Sequence, residues 1–457
     1  MAEYERLTPE DSSFLYVESP AAHMHVAGLS IFDGQVDMDE VYEHIEGRLH
    51  LVPRFRKKVM WVPLQQGRPV LVDDENFDIR YHVRHTAVAS PGTEKELKEL
   101  TARLVGAPLD RARPLWELWI IDLPDGRQAT LTKTHHTLTD GISGVDLATV
   151  LLDLTPEPSP IEHDDWTPEP APSPTELLVD SIQERMTQPA ELARSLRAAL
   201  RTPTEFAQSV ASSLGDVWEF TSKGAEPAPK TSLSKKIGPH RRFDFVRSSL
   251  DDVKAVKNAT GTTVNDVVLA MVSGGMRELL LSRGDIVDGL TLRVLVPMSI
   301  RSDDQRQTFG NQVSGMLADL PVGEADPSVR LQKISKNMNA LKASGEAVGA
   351  EAIMRFADYA PPTLLALAGR LMNGPLTSGV NITVTNVPGP QFPLYFRGNK
   401  MIEAFPVVPL ISEVSVGIAV LSYDGGLNFG LMGDYDIAPD LHVLAEGIEK
   451  GLVDLSK

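Results

Sequence analysis

A proline-rich stretch divides this chain into two blocks and limits its possible folds more than any other feature. Seven prolines lie between Pro156 and Pro174, with acidic residues such as Glu157 and Glu169 among them. Neither a regular helix nor a central strand can continue through such a stretch, because proline lacks the backbone N–H donor. We interpret the stretch as an exposed linker. The alternative is a long surface loop within one domain.

Strand-like and helix-like segments alternate on both sides of the stretch. The segments with strand character are residues 26–32, 115–123, 128–135, 290–296, 381–387 and 413–422. The segments with helical character are residues 38–50, 142–154, 174–221 and 264–281. Two mixed blocks predict an α/β fold of the α+β type with two lobes. We place the first lobe at residues 1–155, a proline-rich and helical linker at 156–240 and the second lobe at 241–457.

The composition limits the chemistry that the chain supports. The formal net charge is −18, which argues against nucleic acid as a partner because phosphate binding requires a basic surface. The absence of cysteine excludes disulfides, thiolate metal sites and a cysteine nucleophile. The chain also lacks the glycine-rich phosphate-binding motifs and the G-x-S-x-G serine motif, so nucleotide chemistry and an acyl-serine intermediate have no support.

One short motif carries groups suited to proton transfer. The sequence HHTLTDG at residues 135–141 ends a predicted strand and precedes a predicted helix. Consecutive side chains of a strand point to opposite faces, so we expect one histidine to face a cavity, and a shared metal ion is disfavoured. A neutral imidazole suits proton abstraction near neutral pH. Asp140 is expected to form an ion pair or cap the helix, and Gly141 to permit a tight turn. The alternative is two structural histidines beside a capping aspartate.

This motif resembles the HHxxxDG signature of coenzyme A-dependent acyltransferases with the chloramphenicol-acetyltransferase-like fold. Other stretches resemble further motifs of the bacterial wax ester synthase/diacylglycerol acyltransferase family. In chain order they are Met24-His25-Val26, Pro114-Leu115-Trp116-Glu117, Asn265-Asp266, residues 296–301 with residues 310–314, and residues 386–390. Thr137 and Met298 stand where the family more often has alanine and valine, and neither departure removes a proton-transfer group.

The resemblance implies a fold and a role for the motif residues. Two lobes with mixed sheets would enclose a solvent tunnel, and His136, the second histidine of the signature, would be the general base near its middle. His135 and Asp140 would support it, and Asn265 would donate to the substrate carbonyl oxygen. No metal is implied. Contacts with substrate are expected from Gly141, Pro114, Trp116, Asp266 and Arg301.

The implied reaction moves a fatty acyl group from acyl-CoA, a substrate and not a bound cofactor, to diacylglycerol or a long-chain alcohol. One histidine can deprotonate the alcohol and later protonate the leaving thiolate, while amide donors stabilise the oxyanion. Without a cysteine or a serine elbow, we expect direct attack with both substrates bound. Two alternatives remain open: a same-fold acyltransferase for another hydroxylated lipid, polyketide or sugar acceptor, and a non-catalytic lipid-binding or lipid-droplet protein.

Two apolar segments indicate contact with lipid. Leu192, Leu196 and Leu200 share a helical face beside three arginines, which suits either an anionic lipid surface or an ordinary linker helix packed on a lobe. Residues 361–371 suit either an acyl channel or a core helix. No apolar run reaches the ~18 residues of a membrane span, and the first residues lack a signal-peptide layout. We expect a cytoplasmic protein, soluble or peripheral to the membrane or lipid droplets.

Overall fold

A computed structural model describes residues 4–138, 152–160, 165–183, 227–299, 313–344 and 379–457 of the chain. The described strands form two six-stranded sheets and one three-stranded sheet. The described helices are α1 (Pro9–Val17), α2 (Met38–Glu46), α3 (Ile79–His82), α4 (Glu94–Gly106), α5 (Leu250–Thr260), α6 (Val264–Ser282), α7 (Pro327–Ser344) and α8 (Leu441–Leu455). Within the described residues, no helix combines the length and the apolar character needed to cross a bilayer.

The three-stranded sheet belongs to the first sequence block. Its strands pair in the order β1 (Glu5–Arg6), β4 (Val70–Asp73) and β3 (Lys57–Met60).

The first six-stranded sheet ends at the predicted catalytic motif. Its strands pair in the order β12 (Tyr395–Phe396), β13 (Asn399–Val407), β2 (His25–Phe32), β7 (Gln128–His135), β6 (Trp116–Asp122) and β5 (Val83–Ala87). β6 and β7, which correspond to the predicted strand segments 115–123 and 128–135, form an antiparallel hairpin around Pro124-Asp125-Gly126. Gly126 adopts a φ of 83°, which glycine tolerates without strain. The parallel pair β5–β6 makes the sheet mixed.

The second six-stranded sheet is mixed as well. Its strands pair in the order β10 (Val313–Leu320), β9 (Leu292–Ser299), β11 (Ile382–Pro388), β14 (Val416–Tyr423), β15 (Gly426–Asp434) and β8 (Arg241–Ser249). β11 is parallel to both of its neighbours. The structure therefore has the predicted two-lobed α/β architecture with mixed sheets.

The two sequence blocks interleave in space. β13 comes from the second block but pairs antiparallel with β2 of the first, from Met401 opposite Phe32 to Val407 opposite Ala27. β13 also lies against β15 of the second sheet, where a Cβ on Gly430 would collide with the carbonyl oxygen of Pro406. The first sheet thus draws strands from both expected lobes and extends beyond the expected boundary at residue 155.

One hydrophobic core joins the lobes. It includes Met24 and Leu131 from the first sheet and Phe245 and Val267 from the second lobe. Phe245 stacks on Phe405 of β13 with ring centroids 4.3 Å apart. Burial of this apolar surface is the main force that holds the lobes together. Ion pairs such as Lys98–Asp244, at 2.6 Å, border the same interface.

The proline-rich stretch lies on the surface of the first lobe. Its described residues, 156–160 and 165–173, have no regular secondary structure, as predicted. The Trp166 ring lies under the guanidinium of Arg56, at 4.8 Å, so the stretch is anchored by contacts. Residues 174–183 are helical, and Leu177 is buried against β4 of the three-stranded sheet.

The structure corrects one predicted helix, and other predictions concern residues that it does not describe. The helix predicted at residues 142–154 does not include residues 152–154, where Asp153 forms an isolated β-bridge with Tyr395. Residues 139–151 lie outside the described part of the chain. The Leu192, Leu196 and Leu200 face and residues 361–371 also lie outside the described residues.

Candidate active site

The two histidines of the motif leave β7 in different environments. His135 is the last residue of the strand and is 1% exposed. His136 begins a short 3-10 turn, His136–Leu138, and is partly exposed. The structure therefore buries His135 completely, whereas the His136 side chain is partly exposed and its Nδ1 is buried.

Several contacts fix the position of His136. Its ring stacks on Phe14 of α1, with centroids 4.6 Å apart and an interplanar angle of 14°. Its backbone N–H donates to the carbonyl oxygen of Met24 at 2.9 Å. The next residue, Thr137, donates its hydroxyl to the carbonyl oxygen of Asp11 in α1, also at 2.9 Å. The end of β7 is thus tied to both β2 and α1.

The environment of His136 sets its protonation state. Burial lowers the pKa of His136 to about 4, and the charge of His135 acts in the same direction. The imidazole is therefore neutral near neutral pH, which is the form that accepts a proton. An oxyanion that forms nearby favours the imidazolium, because an opposite charge raises the pKa of a histidine.

Glu18, which belongs to none of the sequence motifs, contacts several parts of this region. It is the C-cap residue of α1, and its carboxylate accepts from the backbone N–H of Met24 at 3.3 Å. The other carboxylate oxygen accepts from Nε of Arg111 at 3.1 Å and lies 3.6 Å from Nε2 of His135. Burial alone would raise the pKa of Glu18, but the nearby His135 ring and the hydrogen bonds from Arg111 lower it to about 2. The carboxylate is therefore ionised at neutral pH.

A second group of motif residues meets at the start of α6. Thr263 and Asp266 form a capping box: Thr263 Oγ1 accepts from the Asp266 N–H at 3.2 Å, and Asp266 accepts from the Thr263 N–H at 2.9 Å. Asn265 lies between them and is partly exposed. Asn386 of β11 donates its Nδ2–H to Oδ1 of Asn265 at 3.5 Å. The fold thus joins two motifs that are far apart in the sequence.

The contacts of Asp266 are those of a helix cap, and its expected role in substrate binding stays a prediction. Pro114 and Trp116, also expected at the substrate, are buried. The Trp116 ring lies between Phe55 and His82, with ring centroids 4.9 Å and 4.6 Å away, and its Nε1–H donates to the Phe55 carbonyl at 2.8 Å. Trp116 therefore anchors β6 in the first lobe, and its contact with substrate also stays a prediction.

Three expected site residues, Asp140, Gly141 and Arg301, lie outside the described residues. In the part of the chain that is described, no group of three or more His, Cys, Asp or Glu side chains is arranged to hold a metal ion. Sequence reasoning missed Phe14 and Glu18, and it quoted Asn386 without a role. Phe14 and Glu18 precede the Met24-His25-Val26 stretch, but only the tertiary contacts reveal their part in the site.

Similar solved structures share this architecture. A wax ester synthase/diacylglycerol acyltransferase from Marinobacter aquaeolei VT8 is 27% identical, with 98% of each chain covered and a TM-score of 0.68. The first condensation domain of the calcium-dependent antibiotic synthetase is 16% identical, with 99% of this chain and 96% of that chain covered and a TM-score of 0.59. At 16% identity, the likeness to the condensation domain shows a shared fold alone.

Family models and sequence relatives identify the family. The wax ester synthase/diacylglycerol acyltransferase catalytic domain matches residues 7–268, and the WS/DGAT C-terminal domain matches residues 309–456. Two Mycobacterium tuberculosis proteins, the probable diacylglycerol O-acyltransferases tgs1 and tgs2, are each 34% identical to this chain. The alignments cover 98% of this chain and 95% of tgs1, and 99% of this chain and 98% of tgs2. The chain therefore belongs to the wax ester synthase/diacylglycerol acyltransferase family and is an acyltransferase.

Proposed function

We propose that this protein transfers a fatty acyl group from acyl-CoA to diacylglycerol or a long-chain alcohol, with His136 as general base. The observation that carries the proposal is the neutral, partly exposed imidazole of His136, which stacks on Phe14 while its backbone N–H donates to the Met24 carbonyl. A fixed ring removes part of the entropic cost of aligning base and alcohol. The names of the Mycobacterium and Marinobacter relatives support these acceptors.

The reaction requires one base and one oxyanion donor. His136 takes the proton of the alcohol while the alcohol oxygen bonds to the thioester carbonyl carbon. The tetrahedral oxyanion then collapses, the C–S bond breaks, and the His136 imidazolium returns the proton to the coenzyme A thiolate. The products are the ester and free coenzyme A. No covalent acyl-enzyme is needed, so both substrates bind before chemistry.

The contacts of Asn265 support its role as the oxyanion donor. Because its Oδ1 accepts from Asn386, the two hydrogens on its Nδ2 remain directed elsewhere and can donate to an oxyanion. Asn265 also lies in the first turn of α6, a helix of 19 residues whose amino end favours negative charge. A donor of this kind contributes ~3–4 kcal/mol to lowering the barrier.

The test is a product analysis with one labelled acyl-CoA and a panel of alcohols. We expect diacylglycerol and long linear alcohols both to be acylated, because an apolar site discriminates an extra methylene by only ~1–3 kcal/mol. Two-substrate kinetics should be sequential, and mass spectrometry with acyl-CoA alone should show no adduct. Transfer to a compact polar alcohol alone would favour the same-fold alternative. No transfer to any alcohol would favour the non-catalytic one.

We further propose that the protein contacts an anionic lipid surface through the loop at residues 61–68. Leu64 is 80% exposed and has a φ of 58°, an unfavourable conformation for a residue with a side chain. Trp61 is 38% exposed and packs on Tyr16 of α1, the helix that also carries Phe14. Residues 54–68 contain five basic residues and no acidic residue. Arg56 is buried, Arg54 pairs with Glu5 and Lys58 pairs with Asp74, while Lys57 and Arg68 are partly exposed. Exposed apolar side chains beside partly exposed basic ones favour a lipid interface.

Vesicle co-sedimentation tests this contact. Leu64→Gln should weaken binding to vesicles that contain phosphatidylglycerol, with a smaller effect on neutral phosphatidylcholine vesicles. The matched control is Ile286→Gln, which changes an equally exposed residue of the second lobe. Equal binding by wild type and both variants would place the contact elsewhere.

A further inference from the structure

We infer that Glu18 is a positioning residue for the catalytic base, because its carboxylate contacts two of the residues that fix His136, Met24 and His135. The inference rests on the proposed role of His136 as general base. Glu18 acts through these residues and not on a reacting atom. Its backbone also ends α1, the helix that carries Phe14.

The first contact is with Met24, the residue before β2. One Glu18 oxygen accepts from the Met24 N–H at 3.3 Å, and the carbonyl oxygen of Met24 accepts from the His136 N–H at 2.9 Å. Met24 is therefore held by Glu18 through its N–H and holds His136 through its carbonyl group. A shift of Met24 would move the backbone of His136 directly.

The second contact is with the end of β7. Nδ1 of His135 accepts from the Thr137 N–H at 3.1 Å, so the ring hydrogen of His135 is on Nε2. Nε2 lies 3.6 Å from the Glu18 carboxylate. At this distance the negative charge of Glu18 favours the tautomer of His135 with its hydrogen on Nε2, whose Nδ1 can hold Thr137, the residue after the base.

The third contact is through α1. Glu18 ends this helix, and its own N–H donates to the carbonyl oxygen of Phe14 at 3.3 Å. Phe14 is the residue whose ring stacks on His136. The contact with Phe14 uses the backbone of Glu18, whereas the backbone and the neighbour of His136 depend on its mostly buried carboxylate. Such a carboxylate is costly to bury unless it is paired, and Arg111 provides the opposite charge.

The test compares Glu18→Gln with wild type in steady-state kinetics. Gln preserves the size of the side chain but removes the charge, and it lacks the second acceptor oxygen. We expect kcat to fall about 10- to 100-fold while KM for acyl-CoA stays nearly constant, since a small displacement of the base costs up to ~10²-fold in rate. The matched control is Glu403→Gln, whose carboxylate pairs with Arg247 at 2.9 Å away from the motif. Its kcat should stay near that of wild type.

Two further measurements separate positioning from general destabilisation. In a double variant with His135→Gln, the combined loss should be smaller than the product of the single losses, because part of the effect of Glu18 passes through His135. Nitrogen-15 spectra of labelled histidine should show a protonated Nε2 on His135 in wild type and a changed signal in Glu18→Gln. Unchanged kcat, a rise in KM alone, multiplying losses or an unchanged His135 signal would each overturn the inference. If wild type turns over no substrate, the proposed function fails, and the spectra alone still decide the role of Glu18.

Discussion

The end of β7 and the start of α6 supply the two halves of the proposed chemistry, and they are held in different ways. His136 at the end of β7 depends on a network whose charged members are the mostly buried Glu18 and the exposed Arg111. Asn265 at the start of α6 depends on a capping box and one hydrogen bond from Asn386. In the first half ionisable side chains surround the base, whereas in the second half the side chain that contacts Asn265 is the neutral amide of Asn386 and the Asp266 carboxylate serves the helix cap.

The difference follows from what each half must do. The base gains a charge during the reaction, so its surroundings must control protonation, and buried ionisable groups require partners. An amide donor stays neutral, so it only needs to point in one direction. Changes in the first half should therefore alter the pH dependence of the reaction. Changes in the second half should alter the rate alone.

The largest expected effect is at the base. His136→Ala should lower kcat by ~10²–10⁴-fold, because no other group takes the proton of the alcohol. The measurement is transfer from labelled acyl-CoA, with folding checked by circular dichroism. His85→Ala is the control, since His85 is an exposed histidine of the same sheet that pairs with Asp122 at 2.7 Å. A folded variant that keeps more than about a tenth of the activity would contradict the assignment of the base.

The second-largest expected effect comes from removing the side-chain amide of Asn265. Asn265→Ala should lower kcat by ~10²-fold with little change in the affinity for acyl-CoA, because an oxyanion donor acts in the transition state. Asn386→Ala should have a smaller effect of the same kind, since Asn386 only orients Asn265. Weaker binding of acyl-CoA at unchanged turnover would show that Asn265 is not the oxyanion donor. The start of α6 would then have no part in the proposed chemical step.

The pH dependence of kcat/KM distinguishes the role of His136 from that of Asn265. Because burial lowers the pKa of His136 to about 4, kcat/KM should be flat near neutral pH and fall as pH drops through about 4. The unfolded chain binds this proton at a higher pH, near the ordinary value of 6.5, so folding stability should already decline below 6.5. The Asn265→Ala variant should keep the same acid limb at a lower plateau. An acid limb near 6.5 in folded wild type would show that His136 is solvated in the working enzyme.

Local patterns made part of this architecture predictable. β7 begins and ends at the predicted residues, Gln128 and His135, so the strand character of this segment is carried by its own sequence. The helix predicted from residue 264 to residue 281 is α6, which extends one residue further. In both cases neighbouring residues supply the signal, and the capping residue Thr263 marks where the helix begins.

Other features depend on contacts between distant residues and were not predicted. The pairing of β13 with β2 joins residues 401–407 to residues 27–32, and nothing in either segment specifies the partner. Glu18 resembles any helix-terminal glutamate until Arg111 and His135 surround it. Trp116 was expected at the substrate, but only the structure shows Phe55 and His82 on its two faces.

The smallest expected effect tests whether the helix cap at the start of α6 contributes to turnover or only to stability. Thr263→Val keeps the shape of the side chain but removes the Oγ1 acceptor of the capping box. Loss of an N-cap acceptor costs about 1 kcal/mol of stability, so the midpoint of urea unfolding should fall slightly. Thr263→Ser keeps the acceptor and should match wild type. Because Asn386 still orients Asn265, turnover of Thr263→Val should stay within about twofold of wild type, well short of the loss that a missing oxyanion donor causes. A loss as large as that of Asn265→Ala would mean that the helix cap also orients the amide of Asn265. The position of Asn265 would then depend on several linked contacts, as that of His136 does.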